Sequence, residues 1–572
     1  MTPSPSTREI VSLVGVVALL AHQVLRRYEP RTPLHHASCL LLAPTTISVA
    51  IILNPQCTRT LVHTFLLVFP LYISTLVVSI VIYRLSPFHP LARYPGPIPA
   101  RVSMFWMAVV STSGDQHKYI KSLHDRYGDV VRTGPNELSV RDPSLVPEIL
   151  GSSGLPKGPH FHGRMLQYEP RMLVAVSDIE EHARRRRPWL RGFAPAAVKE
   201  YDALIAQRAS QMRSALEEQK GVVQLGEWID FFAYDFMTDM AFGGGSELLS
   251  GQGKDNFWAV LDAHSRMATF LGRLPWLGIL LGYVPAASKP VALLINRCAE
   301  FTAARVKRGA SKLDLFHYLS GEDDPSRPQA PASQLIDDGV LAIVAGADTT
   351  ASATTSTFAC LLAHPEVYVR LQQEVDRFYP PGADPADSRH HKEMPYLNAV
   401  INEGLRLFPP VPGGTQRMEP ADGQGSTFSS MYVPPGTNVW VHTWSLHRDP
   451  RNFRPHPNGF WPERWLLAAD PDLDSAGTAK VEGAFTHNAG AFVPFSYGPM
   501  NCVGRALAVQ EMGTLLCTVL QRFEVRAAPG ATVDGREGGV FDLHAYEERY
   551  KDFFTTSRAA VPVVLEARRG RE

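Results

Sequence analysis

The 572-residue sequence lacks several features that would decide its function early. Its 56 Lys and Arg residues balance 56 Asp and Glu residues, so net charge points neither to nucleic acid nor to an acidic partner. The six cysteines show no paired spacing, which argues against a disulfide framework and favours a reducing compartment. There is no internal repeat, and no glycine-rich phosphate or dinucleotide loop stands between a strand and a helix. Reducing equivalents, if the protein uses them, must therefore come from outside this chain.

Charge is scarce in three apolar segments near the N-terminus. Residues 65–83 (FLLVFPLYISTLVVSIVIY) are uncharged and come close to the ~20 residues that a transmembrane helix needs. Residues 37–53 are uncharged but shorter and contain Pro44, and residues 10–25 are mostly apolar. A cleaved signal peptide is the alternative for the first segment, but it lacks a small-x-small cleavage site and further apolar segments follow. We expect two or three transmembrane helices within residues 1–85.

Basic residues in the short loops indicate how the chain is oriented. Arg26 and Arg27 follow the first apolar segment, and Arg84 follows the third. With three spans, the positive-inside rule places everything after Arg84 in the cytosol. Proline is frequent in residues 86–100, which predicts a stiff hinge between the membrane and a globular domain of residues 101–572.

The globular part is expected to be mainly α with minor β-sheets. Residues 128–143 (GDVVRTGPNELSVRDP) predict two short strands around a Gly-Pro turn. Residues 333–365 predict one very long helix ended by Pro365, and residues 393–410 predict another that a Pro-Pro pair stops. Strands and helices do not alternate regularly, so a doubly wound sheet is not expected.

One cysteine lies in an unusual setting. In residues 492–513 (FVPFSYGPMNCVGRALAVQEMG), Cys502 follows a Gly-Pro turn at Gly498 and precedes Gly504 and an apolar helix. The N-terminus of that helix would favour a thiolate, and Phe495 would shield one side of it from water. This arrangement suits a soft, negatively charged ligand of iron. The alternative is a buried structural cysteine beside a turn.

The spacing of Phe495, Gly498, Cys502 and Gly504 resembles the haem-binding signature of cytochromes P450. Three further segments resemble that family in the same order: AGADTT (residues 345–350), its oxygen-activating helix motif; EGLR, its Glu-x-x-Arg pair; and PERW, whose arginine completes a triad with that pair. The resemblance runs from about residue 94 to the C-terminus. It implies the cytochrome P450 fold and haem b (iron protoporphyrin IX), with Cys502 as the axial ligand of the iron.

The resemblance also implies roles for residues of the other motifs. Thr349 would hydrogen-bond oxygen bound at the iron, and Asp348 would relay protons from solvent. Glu403 and Arg406, joined by Arg464, would brace the fold and take no part in catalysis. The structural alternatives are an aspartate paired with a core arginine and a threonine bonded to its own helix.

One position departs from the family's pattern. The family usually has a basic residue two positions before the cysteine, where it pairs with a haem propionate, but this chain has Met500. We expect His182 and Arg186, four residues apart in EEHARRRR, to contact the haem. The alternative is a solvated basic face.

Substrate contacts are expected where small residues flank the presumed cavity. By resemblance these are Ala345, Ala347, Val411 and Gly413, and residues 157–165 would form part of a loop over the pocket. Small residues near the iron favour a bulky, largely apolar substrate.

The function that the resemblance implies is a membrane-bound monooxygenase that inserts one atom of O₂ into a hydrophobic small molecule. Electrons would come from NADPH through a separate cytochrome P450 reductase, with cytochrome b5 as a further candidate partner. The enzyme would lie in the endoplasmic reticulum membrane with its catalytic domain facing the cytosol. Its sequence looks like fungal members of the family, many of which tailor terpenoids, polyketides or alkaloids in secondary metabolism.

Two other functions stay open at this point. One is a haem-thiolate isomerase or dehydratase that needs no O₂, and the other is a membrane haem-binding sensor that is not an enzyme. Asp348 and Thr349 count against both, because neither would need a proton relay.

Overall fold

The computed structural model describes residues 6–27, 33–55, 58–168, 172–251, 257–309, 313–324, 326, 329–429, 431–470, 484–536 and 538–568. Within these ranges the chain is mainly helical with small β-sheets, as the sequence predicts.

The N-terminal region is helical, and its helices are α1 (Thr7–Arg27), α2 (Pro33–Ala37), α3 (Ala43–Ile52) and α4 (Leu61–Leu85). Both α1 and α4 are long and apolar enough to cross a membrane, and they match the first and third predicted segments. The middle segment forms a shorter apolar helix, Ser38–Ile52, which begins with a π-helical turn. At 1.5 Å per residue it reaches only about 22 Å, against a hydrocarbon core of about 30 Å.

Polar contacts connect the N-terminal helices to one another and to the rest of the chain. His22 Nδ1 on α1 lies 2.7 Å from Ser79 Oγ on α4, and the Tyr72 hydroxyl donates to the Cys39 carbonyl at 2.8 Å. At the end of α4, Arg84 donates to the Val102 carbonyl at 2.6 Å. The α1 and α4 pair is therefore compatible with a membrane anchor that is bonded to the globular part.

The following helices are α5 (Ile98–Val102), α6 (Met104–Thr112), α7 (Gln116–Tyr127), α8 (Leu145–Leu150), α9 (His160–Arg164), α10 (Ile179–Gly192), α11 (Pro195–Glu200), α12 (Asp202–Glu217), α13 (Leu225–Phe242), α14 (Phe257–Arg273), α15 (Pro275–Leu281), α16 (Pro285–Arg308) and α17 (Leu315–Ser320). The remaining helices are α18 (Ala332–Ile343), α19 (Thr349–Ala363), α20 (Pro365–Phe378), α21 (Pro395–Leu407), α22 (Thr443–His447), α23 (Glu463–Ala469), α24 (Arg505–Arg522) and α25 (Leu543–Arg549). A sharply bent pair, α15 and α16, also passes the membrane-span criteria if it is counted as one span.

The strands are β1 (Val130–Gly134), β2 (Glu137–Val140), β3 (Val222–Gln224), β4 (Gln416–Met418), β5 (Ser426–Phe428), β6 (Met431–Val433), β7 (Asn438–Val441), β8 (Phe453–Arg454), β9 (Thr486–His487), β10 (Phe523–Ala527), β11 (Lys551–Phe553), β12 (Thr555–Ser557) and β13 (Pro562–Ala567). The largest sheet has the order β1-β2-β7-β4, with β2 and β7 parallel and the other neighbours antiparallel. The predicted hairpin of β1 and β2 is confirmed. The proline-rich segment before this hairpin packs on the same sheet, where the Arg132 amide donates to the Pro95 carbonyl at 2.7 Å.

The long helix predicted for residues 333–365 is present but interrupted. It consists of α18, a π-helical turn at Val344–Asp348, and α19, which ends two residues before Pro365. Nearly every residue of α19 is buried, because α13, α21 and α24 pack around it. A π-helical turn widens the helix locally and is common at functional sites. The interruption coincides with the AGADTT segment.

His447, at the end of α22, is a fully buried histidine whose bonds define its tautomer. Its Nε2 accepts from the Val493 amide at 3.0 Å, so its Nδ1 carries the proton and donates to the Arg406 carbonyl, also at 3.0 Å. Burial, followed by the nearby charge of Arg406, lowers the His447 pKa to about 3. The native state therefore holds a neutral ring at pH values where an unfolded histidine takes up a proton.

This difference predicts that acid destabilises the fold through His447. Its contribution to stability is complete above pH 6.5 and is lost as the pH falls, because only the unfolded state binds the proton. Between pH 7 and pH 5 the loss should be about 2 kcal/mol from this residue alone. Chemical unfolding at several pH values should show a shallower pH slope for His447→Asn than for wild type. The exposed His544→Asn control should keep the wild-type slope, and an unchanged slope in His447→Asn would contradict the assignment.

Candidate active site

A cavity of about 870 Å³ lies in the globular part, and Cys502 contributes to its wall. Helices α9, α10, α14 and α16 line it together with the π-helical turn, α19 and the loop before α24. Most of the lining side chains are apolar, among them Val291, Leu294, Val340 and Phe553. Such a cavity suits a large hydrophobic group.

The loop before α24 holds Cys502 by backbone geometry. Gly498 has φ of +72°, and a Cβ there would overlap the Leu150 carbonyl oxygen, so only glycine fits this turn. The Cys502 amide donates to the Phe495 carbonyl at 2.9 Å. Phe495 and Gly504 line the cavity beside the sulfur, and Gly504 precedes the first residue of α24. The sequence-based placement of Cys502 at a helix N-terminus is therefore confirmed.

The protonation of the Cys502 thiol reflects opposing effects. Burial raises its pKa, while the Gly504 amide and the charges of Arg186 and Arg505 act in the other direction without outweighing it. The helix end thus favours the thiolate, as the sequence indicates. This effect is too small to ionise the thiol when no metal cation is bound to the sulfur.

Several basic residues lie in the cavity wall near Met500, two residues before Cys502. His182, Arg186 and Lys157 line the cavity, and Arg417 on β4 donates from Nη1 to the Met500 sulfur at 3.1 Å. Arg186 bonds Asn501 Oδ1 at 2.7 Å, and Lys157 bonds the Leu173 carbonyl at 2.9 Å. Within the described ranges, none of the Lys157, Arg186 and Arg417 side chains pairs with a carboxylate, and Arg417 Nε is buried without a hydrogen-bond partner.

This cluster fits the carboxylates of a haem. Buried cations are costly without anionic partners, and the two propionates of haem b would supply such partners. Burial lowers the pKa of Lys157 well below its ordinary value and that of Arg417 to about 10, and the neighbouring cations add to the effect on Lys157. Burial, and then the charges of Lys157 and Arg186, lower the His182 pKa to about 3, so His182 is neutral. Among the residues that the structure describes, no group of three or more His, Cys, Asp or Glu side chains could hold a metal ion.

Sequence reasoning did not single out Arg417, and it placed Lys157 only at the start of a loop over the pocket, without a role toward the haem. Both are isolated basic residues that lie far from Met500 in the chain, Arg417 by 83 positions. The sequence did contain one signal for Arg417, which is a charged residue in the middle of a short strand. An unpaired arginine is rare at such a position beside the core, so it indicates a bound anion.

Asp348 and Thr349 lie where the π-helical turn meets α19, and both line the cavity. The Thr349 hydroxyl donates to the Ala345 carbonyl at 2.6 Å. Asp348 accepts from Arg558 Nη1 at 3.2 Å, and Arg558 also pairs with Asp230 on α13. Both structural alternatives are therefore present: the threonine bonds its own helix, and the aspartate is paired with an arginine. Arg558 explains how a carboxylate is tolerated in this wall.

Two of the four residues expected to contact the substrate line the cavity. These two are Ala345 and Val411. Ala347 is fully buried in the core and is absent from the lining, because two residues of helix turn it away from Ala345; Gly413 is likewise not among the lining residues. Gly346 lines the cavity and also makes room for α13, since a Cβ there would lie 2.5 Å from Met237 Sδ.

Glu403, Arg406 and Arg464 form a buried cluster in which each residue is 0% exposed. Arg406 donates to both Glu403 oxygens at 2.8 and 2.9 Å, and Arg464 donates to Glu403 at 3.1 Å. The Trp465 indole adds a bond to Glu403 at 3.0 Å, which a phenylalanine could not provide. Burial alone would raise the Glu403 pKa, but Arg406 and then Arg464 outweigh it and hold the pKa at about 2. None of the three lines the cavity, in keeping with a bracing role.

Glu511 on α24 is a cavity-lining carboxyl that sequence reasoning did not single out. It is 1% exposed, and its Oε2 has no hydrogen-bond partner among the described residues. Burial raises its pKa well above the ordinary value, which favours the protonated form. It lies in the quoted segment after Cys502, but an acid within an amphipathic helix gives no sequence signal of burial.

Comparison with known proteins decides the family. A family model described as "Cytochrome P450" matches residues 93–546. The chain belongs to the cytochrome P450 family. The predicted family and fold are thus confirmed, and membership implies haem iron.

Fungal relatives extend the match. "Cytochrome P450 monooxygenase FCK2" of Fusarium pseudograminearum is 33% identical over 79% of this chain and 79% of its own length. "Cytochrome P450 monooxygenase orf5" of Eupenicillium brefeldianum is 33% identical over 82% of this chain and 91% of its own. "Tryprostatin B 6-hydroxylase" of Aspergillus fumigatus is 29% identical over 99% of this chain and 98% of its own.

A solved structure, the crystal structure of the cytochrome P450DA haem domain, has a TM-score of 0.63 with 18% identity, covering 80% of this chain and 93% of that one. This likeness shows the fold. The relatives, which are named as monooxygenases and hydroxylases, support an oxygen-inserting P450 over the isomerase, dehydratase and sensor. The protein is a cytochrome P450 monooxygenase.

Proposed function

We propose that this P450 oxidises a hydrophobic small molecule in secondary metabolism, with Cys502 as the axial ligand of a haem b. The observation that carries the proposal is a thiol on an apolar cavity whose wall also holds uncompensated cations: Lys157 and Arg186 line the cavity, and Arg417 bonds the lining residue Met500. Bound haem would supply the binding and activation of O₂. The substrate we propose is a terpenoid, polyketide or alkaloid, and the name of one fungal relative, a tryprostatin B 6-hydroxylase, supports hydroxylation of a small molecule.

The membrane and electron-transfer parts of the proposal follow from the N-terminal helices. Residues 1–85 would form the membrane region and residues 86–100 a hinge, with the catalytic domain in residues 101–572. The basic residues after α1 and α4 favour a cytosolic catalytic domain at the endoplasmic reticulum. NADPH-cytochrome P450 reductase, with cytochrome b5 as a second candidate, would deliver electrons there.

The test is a reduced carbon-monoxide difference spectrum of the full chain in detergent, followed by turnover with added reductase. Turnover of a metabolite panel should need NADPH and O₂ together. Protein that takes up no haem, or product that forms without O₂, would refute the proposed function.

Haem anchoring would depend on Lys157, Arg186 and Arg417 in place of the basic residue that position 500 lacks. Phe495 would cover one side of the sulfur, and Gly498 and Gly504 would hold the loop in place. His182, being neutral, would donate a hydrogen bond and add no charge.

This anchoring predicts that Arg417→Met loses haem faster than wild type. Removing one charge-assisted bond should raise the rate of haem transfer to apomyoglobin roughly 10- to 100-fold. Met500→Lys in the Arg417→Met background should restore retention, because it returns a cation to the same place. Equal haem transfer rates for wild type and Arg417→Met would rule out this role.

Asp348 and Thr349 would manage protons in the cavity. The Thr349 hydroxyl can turn from the Ala345 carbonyl toward the cavity, where it would donate to oxygen. Asp348, held by Arg558, would exchange protons with solvent along the Asp230 side of α13. The hydrogen bonds from Thr349 to Ala345 and from Arg558 to Asp348 would then belong to the state before proton transfer.

Replacing Thr349 tests this arrangement. Thr349→Ala should still consume NADPH but release peroxide, and product formed per NADPH should fall roughly tenfold or more because proton delivery is lost. Thr349→Ser keeps the hydroxyl and should stay near wild type. Unchanged coupling in Thr349→Ala would show that the hydroxyl only bonds its own helix.

A further inference from the structure

Arg164 and His264 line a part of the cavity wall that none of the proposed steps uses. Arg164 ends α9 and His264 lies on α14, two helices that pack against each other. Arg164 Nη1 donates to Thr269 Oγ1 on α14 at 2.8 Å. The two side chains are close enough that the charge of Arg164 acts on His264.

Arg164 is a partly buried cation of the cavity wall with neutral contacts. Besides Thr269, its guanidinium lies 5.2 Å from the centre of the Phe554 ring. Burial lowers its pKa to about 10, so it stays charged at neutral pH, and Asp552 opposes that shift from a distance. In the ranges that the structure describes, Arg164 forms no ion pair, and its Nε and Nη2 atoms donate no hydrogen bond to a described residue.

The other cavity-lining cations already have partners or a role. Lys157 and Arg186 lie in the cluster beside Met500, Arg297 pairs with Glu300 at 2.8 Å, and Arg558 pairs with Asp348 and Asp230. Arg164 therefore remains as a desolvated positive charge next to apolar lining residues such as Met165 and Ala268. An apolar pocket with a few placed polar groups is the usual form of a small-molecule site.

His264 supplies a second donor. Its Nε2 is buried without a hydrogen-bond partner among the described residues. Burial, followed by the charge of Arg164, lowers its pKa, so the ring is neutral and can present an N–H. A buried polar atom without a partner indicates a missing ligand or water.

We propose that Arg164 and His264 bind an acceptor oxygen of the substrate, either a carboxylate or an amide carbonyl, and so orient its apolar remainder in the cavity that Cys502 lines. A guanidinium and a neighbouring imidazole N–H match two lone pairs of one carboxylate or carbonyl group. The proposal rests on the monooxygenase function proposed above and adds a substrate class to it.

The test compares three ligands of equal chain length: dodecanoate, dodecanamide and dodecane. Their flexible chains require no particular distance between Arg164 and the iron. Calorimetry on the haem-loaded full chain in detergent measures each Kd for wild type, Arg164→Met, Arg164→Gln and His264→Phe. Thr269→Val is the matched control, since it removes one neutral hydrogen-bond partner of Arg164 Nη1 but keeps the guanidinium and the imidazole that would bind the ligand.

We expect wild type to bind an oxygen-bearing ligand more tightly than dodecane, and Arg164→Met to lose roughly 10- to 100-fold of that affinity. A smaller loss is expected for His264→Phe and little change for Thr269→Val. If wild type binds dodecanoate more tightly than dodecanamide and Arg164→Gln loses this preference, the substrate carries a carboxylate. If wild type binds the acid and the amide equally and Arg164→Gln retains that equal binding, the substrate carries a carbonyl.

Three results would overturn the subsite. Wild type could bind dodecane as tightly as both oxygenated ligands, wild type could bind none of the three, or Arg164→Met could bind the oxygenated ligands as wild type does. Failure of the proposed function would look different, because the carbon-monoxide spectrum would then show no haem–thiolate signal whatever the calorimetry gives.

Discussion

Cys502→Ser should abolish oxygenation, with product falling below detection in a reductase-supported assay. A thiolate donates electron density to haem iron and favours O–O bond cleavage, which a serine oxygen does not reproduce. The reduced carbon-monoxide spectrum should lose its thiolate-ligated signal in the same variant. Because the Cys502 side chain faces the cavity and contributes nothing to the core packing, the apoprotein should remain folded.

The controls for Cys502 are the other cysteines. Cys360 and Cys517 are buried in the core, and burial raises the pKa of both thiols. Cys360→Ala and Cys517→Ala should cost stability but keep the spectrum and the activity. Oxygenation that survives in Cys502→Ser, or that disappears equally in all three variants, would contradict the assignment of Cys502 as the ligand.

Glu403→Gln should prevent most of the protein from folding. The change leaves Arg406 and Arg464 buried with no carboxylate between them, and breaking a buried ion pair in this way costs about 3–5 kcal/mol. That is a large part of the ~5–15 kcal/mol that stabilises a typical domain. The measurements are the yield of haem-loaded protein and the free energy of unfolding in denaturant.

Two further variants calibrate this result. Trp465→Phe removes only the indole bond to Glu403 and should cost about 1–2 kcal/mol. Arg526→Met breaks an exposed pair with Glu566 and should change stability by less than about 1 kcal/mol. If Glu403→Gln were no more destabilising than Arg526→Met, the cluster would have no bracing role.

The sequence by itself determined the family, the mainly helical fold and the residues of each local motif. Cys502, Thr349 and the Glu403–Arg406 pair could be identified because each lies in a short pattern of glycine, proline or helical spacing. The two long apolar helices α1 and α4 were equally visible, since helix length and hydropathy are local properties.

The tertiary structure alone decided which distant residues complete these motifs. Arg558 reaches Asp348 across 210 positions, and Arg417 and Lys157 provide charge near Met500 that the local pattern lacks. The tertiary structure also places Ala347 in the core, buries Glu511, and brings Arg164 and His264 to the wall of one cavity. Local sequence encodes periodicity and turns, whereas these contacts depend on how helices and strands far apart in the chain pack around one cavity.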